Sequence, residues 1–229
     1  MATGPQHRWT VELGARARRS FLLTLILTTS LTGLFFIGYF YVQRHSAHAP
    51  IMMPLTALDQ MIPFQPQALL AYVSLWIYIG AGPGLQRTFA ELVVYGLWMC
   101  ALCIVGLGIF YFWPTQVPSL TLDATDFPGL AVLHHVDKTS NACPSMHVAV
   151  ATFTAVRVEE VLRSTRSPLP LRLLNAAWFF VIAYSTLAIK QHVALDVAAG
   201  ALLGSIFVLP SLHWRPGAHR ETSFSDEAL

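Results

Sequence analysis

The chain has 229 residues, of which 55% are hydrophobic and only 11% charged, with a formal net charge of +2. Ordinary soluble domains carry roughly 25% charged residues, so this composition excludes a soluble globular domain and is that of a membrane protein. Its basic residues are scattered, without the aromatic-interleaved stripe of a nucleic-acid binder, so no nucleic-acid partner is expected.

The apolar residues are gathered into six runs, most of them near the ~20 residues that a helix needs to cross ~30 Å of hydrocarbon. Lipid offers backbone polar groups no partners, and the runs lack the two-residue alternation of a membrane barrel, so helices are the spanning elements. The sequence therefore predicts an all-α integral membrane domain over residues 1–213. Its six-helix bundle has spans at about 20–42, 68–85, 91–113, 144–162, 172–190 and 192–212, and a polar tail at 214–229 is expected to be disordered.

The first run follows Arg16, Arg18 and Arg19, and Ala47-His48-Ala49 beyond it loosely resembles a signal-peptidase site. A signal core is usually ~7–15 residues long. Phe21 to Val42 is longer, which favours an uncleaved anchor. Residues 50–66 place Pro50, Pro54, Pro63 and Pro66 among Ile51, Met52, Met53, Leu58, Met61, Ile62 and Phe64. Such a segment cannot form one helix; it reads as an interfacial strip on the outer leaflet that gates lipid access, or as an apolar linker. Gly80-Ala81-Gly82-Pro83-Gly84 reads as a helix-ending turn. In the third run Cys100 and Cys103 are helix filler rather than a redox or metal pair. Arg157, Glu159 and Glu160 interrupt the fourth run, which makes it the least apolar.

Orientation follows from the cations. With the N-terminus cytoplasmic, eleven arginines lie inside and only Arg44, Lys138 and Lys190 outside. Both termini are then cytoplasmic, and residues 43–67, 114–145 and a turn near Lys190 face outward.

Two outward segments carry ionisable groups. Asn141-Ala142-Cys143-Pro144-Ser145-Met146-His147 opens the fourth run, with Pro144 suited to a first helical turn and Ser140, Asn141 or Cys143 in reach of a cap. Ser145 and His147 would lie in that turn, where free N–H groups and the helix dipole favour an anion such as phosphate. The second segment, Lys190-Gln191-His192-Val193-Ala194-Leu195-Asp196, joins spans five and six. Four residues apart on a helix, His192 and Asp196 share a face, and a carboxylate there fixes the histidine tautomer and frees its other nitrogen to attack. One descending and one returning span separate the segments, so His147 and His192 lie at the same outer face. An aspartate in an apolar span costs some ~2.5–3.5 kcal/mol on insertion scales and so has a partner or a task. A purely structural His–Asp pair is one alternative. A metal site drawn from His134, His135, Asp137, His147, His192 and Asp196 is another, but no tight ligand motif supports it and no metal is expected.

Pro144-Ser145-Met146-His147, followed about 45 residues later by His192, Asp196 and then Gly200, resembles the second and third motifs of the type-2 phosphatidic acid phosphatase superfamily. The likeness covers spans three to six. It implies that His192 attacks phosphorus to form a phosphohistidine, that Asp196 orients it, that His147 protonates the leaving group, and that Ser145 holds phosphoryl oxygens. The family's first motif, a lysine followed by an Arg-Pro pair, is absent: alignment on Pro118 puts Phe110 and Val117 at the cation positions, and Thr186 stands where the third motif has arginine. Lys190 first and Lys138 second are the candidate replacements. Loss of the first motif, and residues Asp59 to Tyr72, are similar to the branch containing inositol-phosphorylceramide and sphingomyelin synthases. The expected function is thus a metal-independent lipid-phosphate phosphatase, without cofactor, in a bacterial inner membrane with its site facing the periplasm. Phospho-headgroup transfer between lipids is the first alternative, and a non-catalytic lipid-binding protein the second.

Overall fold

The computed structural model describes residues 5–19, 21–118 and 141–214. Helix α1 (Pro5–Arg19) is followed by α2 (Phe21–Arg44). Strand β1 (Ile51–Met52) and the one-turn helix α3 (Ala57–Met61) come next. A 3-10 turn at Pro66–Ala68 leads into α4 (Leu69–Val73), α5 (Leu75–Gly84), α6 (Phe89–Phe112) and β2 (Thr115–Gln116). The chain closes with α7 (Met146–Ser164), α8 (Leu169–Ala188) and α9 (Ala194–His213).

Among the described residues, α2, α6, α8 and α9 are long and apolar enough to cross a membrane. The other two expected spans are present as helices of a different character. Residues 69–84 form α4 and α5, which meet at Ser74, where the hydroxyl donates to the Ala71 carbonyl and accepts from the Trp178 indole at 3.0 Å. Helix α7 carries charge, and the charge is turned toward protein: buried Arg157 donates to Glu160, to the Gln86 amide oxygen and to the Ser211 carbonyl. Glu159 ties Arg163 of its own helix to Arg172 of α8. Ionisable groups inside a helical bundle are expected to face one another in this way.

Two local expectations change. Gly80–Gly84 stays helical to its end, and Gly82 lies so close to the Tyr95 hydroxyl that a side chain there would overlap it. A short parallel pairing, Ile51 with Thr115 and Met52 with Gln116, interrupts the all-helical architecture. Residues 50–66, expected as an interfacial strip or an apolar linker, are hydrogen-bonded to the bundle. Ile51 N–H donates to the Pro114 carbonyl and Met53 N–H to Gln116, and Gln65 N–H donates to the Ala188 carbonyl, which anchors the segment at both ends.

The closest helix packing is between α7 and α9, and glycine sets it. Gly200 and Gly204, four apart, lie on one face of α9. A Cβ on Gly200 would overlap the Ser145 carbonyl, and one on Gly204 would crowd the Ala149 carbonyl and Thr152. Small residues at this spacing let helix backbones approach closely in a membrane. Gly106 of α6 likewise gives its space to the Met146 thioether. The result seats the start of α7 between α6 and α9.

Candidate active site

Ser145 is the N-cap of α7 rather than a first-turn residue: its backbone is extended and its hydroxyl accepts from Val148 N–H at 3.3 Å. The hydroxyl proton remains available to donate to an anion. Ser145 N–H donates to the Asp196 carbonyl at 3.0 Å, so the α7 cap is bonded directly to the first turn of α9.

His192 lies in the turn before α9, not on the helix, so its meeting with Asp196 comes from a different device than helical spacing. Asp196 occupies the third position of α9 and its Oδ2 folds back to accept from Val193 N–H at 3.0 Å. The same oxygen stands 3.5 Å from His192 Nδ1, longer than a well-formed hydrogen bond. Asp196 is fully buried and its Oδ1 has no hydrogen-bond partner, nor has His192 Nδ1. Catalytic contacts often stand long before substrate binds and tighten with it.

His192 Nε2 faces His147 Nδ1 at 3.4 Å. With a proton on His192 Nδ1, the nitrogen nearer the Asp196 carboxylate, Nε2 keeps a lone pair and His147 Nδ1–H is the donor between the rings. The Tyr72 hydroxyl, on a residue 2% exposed, stands 2.6 Å from His147 Nε2, with the two rings 4.5 Å apart at 36°. Sequence reasoning assigned no role to Tyr72; its signal is an aromatic with a polar tip near the outer end of an expected span.

Lys190 and Asp59 are the other surprises. The Lys190 ammonium donates to the carbonyls of Asp59, at 2.8 Å, and of Ile62, rather than projecting free toward a phosphate. The Asp59 carboxylate accepts from Thr56 N–H and hydroxyl at 2.7 Å each and from Ala194 N–H, at the start of α9, at 2.8 Å. Burial would raise its pKa, but these bonds and the Lys190 charge outweigh burial and hold it below the ordinary 3.8. A carboxyl depressed in the folded state contributes stability above its unfolded pKa and loses it as pH falls through the lower folded value. These bonds are therefore expected to persist at pH 5 and to open only below about pH 4, read as acid-induced exchange of the Ala194 amide.

Lys138, with His134, His135 and Asp137, lies outside the described residues. Among the described residues no three metal-binding side chains gather. The positions where family cations were sought hold buried neutral groups: Phe110 is 1% exposed, Val117 packs with Ala142 and Val193, and the Thr186 hydroxyl donates to Ala183. Asn141 Nδ2 and Gln191 Nε2, near Ser145 and His192 in sequence, are buried donors without partners. Cys143 is half-buried; burial first, and the Asp196 carboxylate next, push its thiol up to about 11. It is expected to alkylate slowly at pH 8 and to gain reactivity only as pH approaches 11, which labelling of a Cys100→Ala, Cys103→Ala variant would measure.

Residues 111–220 match the model of the PAP2 superfamily. No curated protein and no solved structure matches the chain.

Proposed function

From the premise that residues 111–220 belong to the PAP2 superfamily, whose members are phosphoric-ester hydrolases or phosphotransferases acting on lipid phosphates, we propose that this integral membrane protein is a lipid-phosphate phosphatase working through a phosphohistidine on His192. The observation that carries the reading is the succession Asp196, His192, His147, with a buried carboxylate oxygen 3.5 Å from His192 Nδ1 and His147 Nδ1 3.4 Å from His192 Nε2. His192 Nε2 attacks phosphorus as the bond to the leaving oxygen breaks, Asp196 stabilises the ring as it gains positive charge, and His147, acting as the imidazolium, gives its Nδ1 proton to the leaving oxygen and is left neutral. Water then attacks the phosphohistidine. In-line transfer sets nucleophile and leaving oxygen on opposite sides of phosphorus, so the two rings, 3.4 Å apart at rest, separate when the phosphoryl group enters.

Six spans, cytoplasmic termini and a periplasm-facing site belong to this proposal; the spans rest on the apolar runs and the orientation on the distribution of cations. Phosphoryl oxygens are met by the Ser145 hydroxyl and nearby N–H groups, with Lys138 as the cation and Asn141 and Gln191 as neutral donors. No metal takes part. Purified protein should release phosphate from short-chain lipid phosphates equally with and without a chelator; dependence on added divalent metal would remove the mechanism. His147→Asn is expected to slow an alkyl phosphate on the order of 10²–10⁴-fold while sparing an aryl ester, which leaves without a proton. Equal losses on both would deny His147 the acid role.

The buried neutral groups at Phe110, Val117 and Thr186 favour a second reading, headgroup transfer, in which a lipid hydroxyl replaces water. A phospholipid donor supplied with diacylglycerol or ceramide should then yield a new phospholipid.

A further inference from the structure

We propose that Asp59 and Lys190 form a clasp that positions the His192 turn, making residues 56–62 a working part of the site although they lie outside the segment matched by the family model. The proposal rests on His192 being the reacting residue, as proposed above.

Lys190 has a left-handed backbone, φ 59°, which an ordinary residue adopts at a cost and which persists only when its surroundings hold it. What holds it is visible. Its ammonium binds the Asp59 and Ile62 carbonyls at the end of α3, and its N–H donates to Leu187. Gln191 and His192 N–H both turn back to the Thr186 carbonyl. Two residues after His192, Ala194 N–H is capped by Asp59 Oδ1. Val193 has no side-chain oxygen with which to cap α9, and a carboxylate from 135 residues away satisfies the N–H of its first residue instead. Asp59 is 7% exposed and anchored in turn by Thr56. The His192 turn is thus gripped on both sides by one short segment. A loss of grip lets His192 Nε2 and the Asp196 carboxylate drift, and misplacement by about 1 Å costs on the order of 10² in rate.

The test uses the full-length protein in detergent. Asp59→Ala should lower kcat by about 10²-fold with KM little changed, and Asp59→Asn, which keeps an oxygen for Ala194 N–H, should recover part of it. Lys190→Met should act in the same way, and the double variant should be no worse than the poorer single one, because the two residues serve one task. Hydrogen exchange of the peptide 188–196 should rise in each variant while α6 and α8 stay protected. Unchanged kcat in Asp59→Ala, a Lys190→Met effect confined to KM, as a phosphate-binding cation would give, or unchanged exchange in 188–196 would each overturn the clasp. If the wild type turns over no lipid phosphate, the proposed function fails and exchange alone decides: a rise supports the clasp and no rise overturns it.

Discussion

Replacing His192 with alanine is expected to remove turnover to background and to remove all acid-labile phosphate from protein exposed briefly to substrate. Nothing else among the described site residues can replace it. His147 has its Nε2 beside the Tyr72 hydroxyl and no carboxylate within the contacts of its ring, whereas His192 has Asp196 on one side and turns its other nitrogen toward His147. Cys143 is held as a thiol, and the Ser145 hydroxyl is spent as an acceptor on the α7 cap with no base against it. Losing a nucleophile removes the covalent route itself, so the effect should exceed that of His147→Asn by a wide margin. The measurement is paired: single-turnover labelling with a phosphorus-labelled lipid phosphate, and steady-state release. Labelled phosphate retained on the His192→Ala protein would refute the assignment.

The second large effect lies in packing rather than chemistry. Gly200→Ala should sharply reduce both activity and thermal stability, while Gly108→Ala in α6, whose added methyl meets nothing within 4 Å, should be neutral. The methyl at Gly200 would run into a backbone carbonyl, that of Ser145, which cannot swing aside as a side chain can. Overpacking of this kind costs about 1–3 kcal/mol. It would also pry the Ser145 N–H from the Asp196 carbonyl, the bond that joins the two halves of the site. Melting of the detergent-solubilised variants, set beside kcat, separates the two consequences. A Gly200→Ala protein that melts and turns over like Gly108→Ala would show that the close approach is dispensable.

Much of this site was legible as spacing. Ser145 and His147 near the start of one helix, and His192 with Asp196 at the start of another two helices on, were expected at one end of the bundle because an outgoing and a returning helix bring the chain back to where it set out. The detail was less accessible. His192 and Asp196 were expected to meet by helical spacing, yet they meet because Asp196 folds back onto Val193 N–H at the mouth of α9. Lys190 was expected to bind phosphate, and its ammonium donates to two carbonyls, that of Asp59 in α3 and that of Ile62 just past its end. Asp59 entered only as the first residue of a segment similar to one family branch, and its partner Ala194 N–H is a backbone group that no residue pattern marks.

The sequence by itself determined the membrane character, the helical elements and the candidate chemistry, because apolar run length, charge distribution and His–Asp spacing are local properties of the chain. Only the tertiary structure decided which groups touch. The α7–α9 approach through Gly200 and Gly204, the placement of Tyr72 beside His147, the facing of His147 and His192, and the hold of Asp59 on α9 join residues 45 to 135 positions apart. Such contacts depend on how helices cross, and the crossing is set by surfaces that meet only after the elements have formed.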